Sequence, residues 1–384
     1  MVINCQLEGA KVYFHCKDHP GDDPNEGADL FITVPKGLTV AGPGLLQSVK
    51  TKKNKQTFHW KTNYTISNYC ILFDIGKYYI VKRNYQTIDG NNVPMVFYVL
   101  EEDIGTSEKI LNMRERDTRI LEKYFGEYPW VKEKIGVAQV PNPGMEHQTM
   151  ITYGDKSGKF IFSKVGTEDY SANLFHEFAH EWFANKVTNK DWAHMWIQEG
   201  ITNFSEALFC REAAGERGYD SMMIRIKNGI RNEKPLVQGH EVSSADTYTG
   251  DIYSKGAFFM HTLRYISGDT VFFKTLKQLA TEPQFTYDNF VTTDDIEKLF
   301  SKQSGKNFKP LFDFYLRTTI KLEIKIRQTG FQKYMMTVPN LPMDLLTDTG
   351  VQHIVLKEKE YVINSQTMPV VDAKEFHLKT FTTD

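Results

Sequence analysis

Cysteine is scarce. The 384 residues hold four, Cys5, Cys16, Cys70 and Cys210, and none stand in CxxC spacing. A thiolate zinc site or a redox dithiol is therefore not expected. A disulfide scaffold is equally excluded at this length; one Cys5–Cys16 bridge stays open beside the simpler reading of ordinary thiols. No apolar run approaches the ~18–20 residues of a membrane span. An excess of one charge is missing as well: 46 Lys+Arg stand against 48 Asp+Glu, a formal charge of -2. That balance argues against a nucleic-acid binder or an anionic-membrane binder. Internal repeats and low-complexity linkers are absent. Met1-Val2-Ile3-Asn4-Cys5 has neither the basic nor the apolar region of a signal peptide.

What is present is globular. Apolar residues make up 41% and aromatics 13%, enough for a sizeable core. At roughly 100–200 residues per domain the length allows two to three domains.

The first hundred residues read as β. Short β-rich runs recur at Lys11–Phe14, Asp29–Val34, Thr57–Lys61, Tyr78–Val81 and Met95–Val99. Turn clusters separate them, which predicts a sandwich or a large open sheet. Near residue 105 the apolar period becomes helical, and a helix is predicted over Ser107–Tyr124. A short strand follows at Ile135–Val140. Helical patterns then dominate over 171–187, 200–214, 218–231, 253–266, 270–280, 293–303 and 308–318. Alternation returns at Leu322–Ile326 and His353–Leu356, and Lys374–Thr380 reads as one more strand.

The chemistry concentrates in His176-Glu177-Phe178-Ala179-His180. On a helix, residues i and i+4 share a face, with Cβ atoms about 5–6 Å apart. Two imidazoles so placed can grip one zinc ion, and Glu177 projects beside it toward water. The flanks Leu174, Phe175, Trp182 and Phe183 make the segment apolar over much of its circumference, so it is expected to be buried. Buried His and Glu need partners, and a metal supplies them. A catalytic zinc keeps three protein ligands, so a third must come from another element. Glu199 opens the next helical pattern. Glu206 lies two turns further on the same face, where it could hydrogen-bond the outer ring nitrogen of a histidine ligand.

The segment from His176 to Gly200, with Trp182, Asn185, Thr188, Trp192, Trp196 and Glu199-Gly200 at their offsets, resembles the gluzincin aminopeptidases. This is the family of aminopeptidase N and leukotriene hydrolase. Two further motifs follow the family order. Pro143-Gly144-Met145-Glu146-His147 is similar to its GxMEN loop; Pro143 and His147 depart from the pattern, and Glu146 is kept. Tyr253-Ser254-Lys255-Gly256 is similar to its YxKG element.

The resemblance implies one zinc ion per chain, held by His176, His180 and Glu199. It implies Glu177 as general base, with Tyr253 donating to the developing oxyanion. Gly144, Met145 and Glu146 would bind substrate, the Glu146 carboxylate anchoring a free α-amino group. The expected partners are peptides with a free N-terminus, with no nucleic acid and no membrane span.

The implied fold is multidomain α+β. A mostly helical, thermolysin-like catalytic domain over 101–316 would lie between an N-terminal β-domain over 1–100 and a small β-domain over 317–384. The first hundred residues are similar to the later part of the family's N-terminal domain, so the start is expected to fall inside a longer one. Two other functions stay open: a non-catalytic peptide-binding scaffold, and an epoxide hydrolase of the leukotriene hydrolase type.

Overall fold

The computed structural model describes residues 8–337, 341–355 and 360–383. Cys5 and Leu356, both part of readings above, lie outside them. Cys16, Cys70 and Cys210 are free thiols.

Strands β1 (Asp29–Pro35), β2 (Thr39–Ala41), β3 (Leu45–Lys52), β4 (Lys55–Lys61) and β5 (Asp74–Gly76) come first. They form two small sheets, β1-β4-β3 and β2-β5. The alternation in β1 and β4 turns Ile32, Val34, Phe58 and Trp60 inward. These residues pack on Val96, Tyr98 and Ala138, which belong to the next sheet.

That sheet joins β6 (Tyr79–Gln86), β7 (Asn92–Val99), β8 (Ile135–Gln139) and β9 (Ile151–Tyr153) in the order β6-β7-β8-β9. The β6/β7 pair is antiparallel, and β8 runs parallel to both its neighbours. Every residue of β8 is buried, as a parallel strand covered on both faces should be. The opposite faces of β7 and β8 turn Met95, Phe97, Val99 and Val137 into the main core with the helices. Residue 100, expected as a domain boundary, thus falls between strands of one sheet.

The helices are α1 (Ser107–Phe125), α2 (Ala172–Ala179), α3 (Trp196–Asn228), α4 (Ser244–Thr247), α5 (Gly250–Ser267), α6 (Asp269–Thr281), α7 (Thr293–Ser304) and α8 (Lys309–Arg317). α3 is kinked where Gly215 takes φ +68, the left-handed region that favours glycine. The kink falls between the two helical patterns read from sequence.

The last strands form a four-stranded sheet (Leu322–Gly330, Lys333–Thr337, Glu360–Asn364, Lys379–Thr383) and a three-stranded one (Pro342–Thr347, Gly350–Val355, Val370–Val371). They enclose a separate cluster that includes Ile324, Met336, Met343 and Leu345.

Three elements differ from the sequence reading. Lys11–Phe14 is not a strand: Val12 N–H donates to Gly9 O and Phe14 N–H to Ala10 O, closing a 3₁₀ turn at Ala10–Val12. The helix expected over 171–187 ends at Ala179. Beyond it Asn185 N–H reaches His180 O and Val187 N–H reaches Trp182 O, wider than α-helical spacing, and Ala184 sits at φ +147. The apolar residues that suggested helix are buried in this coil instead: Trp182 and Phe183 are fully covered. The strand expected at Lys374–Thr380 begins only at Lys379. Ahead of it the Asp372 carboxylate accepts from Phe376 and His377 N–H and curls the chain.

Candidate metal and substrate site

Four elements meet at one cavity of about 440 Å³. α2 brings His176 and Glu177, and His180 stands just past its end. α3 brings Glu199 and Glu206, α5 brings Tyr253, and the 144–146 loop brings Glu146.

The inner ring nitrogens converge. His176 Nε2 and His180 Nε2 lie 3.2 Å apart, and each is 3.3 Å from Glu199 Oε2. The outer nitrogens are already engaged: His176 Nδ1 meets Glu206 Oε1 at 3.0 Å, and His180 Nδ1 meets Phe183 O at 2.8 Å. With Nδ1 bonded outward, the Nε2 lone pairs face the cavity. Tyr170 Oη donates to the other Glu206 oxygen at 2.9 Å, and Thr202 Oγ1 lies 3.2 Å from His180 Nδ1. Two oriented imidazoles and one carboxylate are the donor set zinc takes, so these residues fit that ion.

The electrostatics agree. Burial alone would push Glu199 up, but His180 and His176 outweigh it and bring Glu199 down to about 2. Burial opposes charge on both histidines, yet Glu199, aided at His176 by Glu206, raises them. The atoms that compete for protons here are those that would bind a cation. Glu177 behaves differently. Burial, opposed by His176 and reinforced by Glu146, raises it to about 8, a range in which a carboxyl can both take and give a proton near neutral pH.

Glycine explains how the elements approach. A Cβ on Gly200 would lie 2.8 Å from the Gly256 Cα, and one on Gly256 equally close to Gly200. α3 and α5 therefore touch backbone to backbone beside Glu199 and one turn from Tyr253. Gly144 has φ +145, and its missing Cβ would lie 2.5 Å from Glu177 Oε1. Only glycine lets this loop lie against that carboxylate.

The loop is fixed from behind. Met145 and Thr152 exchange backbone hydrogen bonds at 3.1 and 3.2 Å. Asn185 Nδ2 donates to Glu146 O at 2.7 Å. Tyr69 Oη donates to Glu146 Oε1 at 3.0 Å. Glu146 is 5% exposed, and its carboxylate groups with Glu177 and His180.

Glu181 points away from the cavity. It is fully buried and accepts from Trp130 Nε1 at 2.6 Å and Thr149 N–H at 2.9 Å. His147 is buried and does not line the cavity. Lys255 is also turned away, donating to Thr318 O at 2.8 Å.

Sequence reasoning missed several residues. Tyr248 lines the cavity, with its hydroxyl 2.7 Å from that of Tyr253. Tyr69 and Tyr248 carried no motif signal among 19 tyrosines. Asn185 stood in the quoted motif without a role, and its bonds to the Glu146 backbone and to Glu181 supply one.

The Peptidase family M1 domain matches residues 110–315. Human glutamyl aminopeptidase is 26% identical over 261 residues, covering 63% of this chain and 27% of its own. Aminopeptidase A of Legionella pneumophila, solved in complex with aspartic acid, superposes with a TM-score of 0.80 at 18% identity over 100% of this chain and 47% of that one. An M1 zinc metallopeptidase from Deinococcus radiodurans gives 0.66 at 23% identity, covering 83% and 69%. The last two likenesses show a shared mixed helix-and-strand fold. The chain spans about a third of the length of the first curated relatives it matches.

Proposed function

The chain belongs to peptidase family M1, and from that premise we propose that it is a zinc-dependent aminopeptidase that removes residues one at a time from peptide N-termini. The observation that carries the reading is a pairing within one cavity. A three-donor set of His176, His180 and Glu199 stands beside a separate buried carboxylate, Glu146, held by Tyr69. The first suits a metal, the second a substrate ammonium.

Zinc held by His176, His180 and Glu199 would supply Lewis acidity and a water acidic enough to ionise near neutral pH. Glu177 is placed to hold a proton beside the donor set and to pass one to a departing amine; a carboxyl raised by burial is matched to this transfer. Tyr253 keeps its proton, because burial and then Glu199 push its ionisation far up. Its hydroxyl can only donate to a developing negative charge, and donating to an oxyanion is its role. Tyr248 positions that hydroxyl from 2.7 Å.

Glu146 pairs with the free α-ammonium and so measures one residue back from the scissile bond. Gly144 and Met145 form the wall beside it. Glu206 orients His176. We place the catalytic unit, thermolysin-like and mostly helical, between an N-terminal β-region and the small C-terminal β-unit. The scaffold alternative is disfavoured by the intact donor set, Glu177 and Tyr253. Among the described residues no helix is long and apolar enough to cross a membrane.

Metal dependence tests the reading. Chelation should abolish hydrolysis of an aminoacyl p-nitroanilide, and added zinc should restore it. Full activity in a metal-free preparation would refute it.

A further inference from the structure

The cavity wall is strongly acidic. Glu146, Glu177, Glu199 and Glu206 all line it. Among the described residues that do so, one lysine or arginine appears: Arg225, on the second half of α3. Three other cations on α3 and α5 are occupied. Arg211 pairs with Glu216, Lys227 with Glu375, and Arg264 with Asp269. Arg225 forms no ion pair among the described residues. Met222, Arg225 and Ile226 share a helix face by their i, i+3, i+4 spacing. Half-buried Met222 and buried Ile226 fix that face against the cavity.

Position decides what the cation can meet. Glu146 groups with Glu177 and His180 on one side of the donor set. Glu206 hangs from the outer nitrogen of His176 on the other. Arg225 lies on the Glu206 and Tyr253 side. Its half of α3 packs at one end on Cys210, one turn past Glu206, where a Cβ on Gly218 would lie 2.4 Å from Cys210 O. At the other end it packs on Ser254, 2.9 Å from a Cβ on Gly229. The donor set therefore stands between Glu146 and Arg225. A peptide with its ammonium on Glu146 spends one residue reaching the scissile bond. Whatever lies beyond runs toward Arg225.

We propose that Arg225 receives a carboxylate on the leaving part of the substrate, downstream of the scissile bond. The inference rests on the aminopeptidase reading and deepens it to a substrate class: peptides acidic just past the first residue, or short enough to present their own terminal carboxylate there. Without Arg225, the four carboxylates would disfavour such peptides. A guanidinium offers paired donors that match a carboxylate.

Binding tests this independently of turnover. In the zinc-loaded Glu177→Gln background, dissociation constants are measured by calorimetry for matched peptide pairs. Ala-Glu-Ala-amide against Ala-Gln-Ala-amide reads an acidic side chain. Ala-Gln-Ala against its amide reads a terminal carboxylate. Glu-Ala-Ala-amide against Gln-Ala-Ala-amide reads the first residue.

In at least one of the first two pairs the acidic member should bind about three- to fivefold tighter, the scale of a solvent-exposed ion pair. Arg225→Ala should remove that preference, and Arg225→Glu should reverse it. The pair that responds identifies the source of the carboxylate. If Arg225→Glu leaves both preferences unchanged, or alters only the first-residue pair, the proposal is overturned. Failure of the zinc-loaded wild-type protein to cleave any unblocked peptide would instead overturn the aminopeptidase reading, while the binding preferences would still decide the role of Arg225.

Discussion

Adding one methyl group at Gly144 should disable the site without touching a metal ligand. A Cβ there would lie 2.5 Å from Glu177 Oε1 and 2.7 Å from its Cγ. Carbon contacts settle near 3.5–4.0 Å, so the fit is short by about 1 Å. The loop has little freedom to retreat, because Met145 is bonded to Thr152 on both sides and Tyr69 holds Glu146. The residue would also sit at φ +145, a strain of roughly 1–3 kcal/mol for a side-chain-bearing residue. Glu177 is then the group that yields. A misplacement of ~1 Å near the chemistry can cost about 10²-fold. In Gly144→Ala, kcat/KM for an aminoacyl p-nitroanilide should therefore fall by about that factor. Metal content, read by atomic absorption, should stay near one ion per chain, since the three atoms nearest the added one all belong to Glu177. A folded, zinc-loaded Gly144→Ala protein with the wild-type kcat/KM would refute the argument.

Two further substitutions separate the roles assigned to the cavity. Glu177→Gln should keep its zinc and lose at least ~10²-fold in kcat, the usual scale of a general base; loss of metal instead would make Glu177 a ligand. Tyr253→Phe keeps the ring and removes one donor, so kcat should fall by roughly 10²–10³-fold with little change in KM. An effect confined to KM would reduce Tyr253 to a pocket wall.

The legible part of this protein was the part written in short range. His176, His180, Glu199 and Glu206 are spaced so that helix geometry alone brings them to one face of α2 and the start of α3. The structure sets the three inner donors within 3.3 Å of one another and Glu206 on the outer nitrogen of His176. The same periodicity misled just past His180. There, apolar residues continue a helical pattern while the backbone bonds at wider spacing and turns through Ala184. Burial, not helix, was what Trp182 and Phe183 encoded.

Long-range partners left no trace in the sequence. Tyr69 reaches Glu146 across 77 positions, and no local pattern marks it. Arg225 looks like any exposed helix cation until the kink at Ala214 and Gly215 turns its helix toward the cavity. The sheet across residue 100 was hidden for a similar reason. β7 pairs with β8 over an intervening helix, and a change of composition near residue 105 does not reveal strand order.

The role of Glu146 is tested most directly by comparing one short peptide with its N-acetylated twin. Acetylation removes the ammonium and leaves a nearly buried carboxylate, 5% exposed, without its charge partner. An unpaired buried charge costs about 3–5 kcal/mol, so cleavage of the blocked peptide should fall by 10²-fold or more. Glu146→Ala should close most of that gap by weakening cleavage of the free peptide. Equal cleavage of both peptides by the wild-type protein, or cutting at internal bonds, would contradict the aminopeptidase reading.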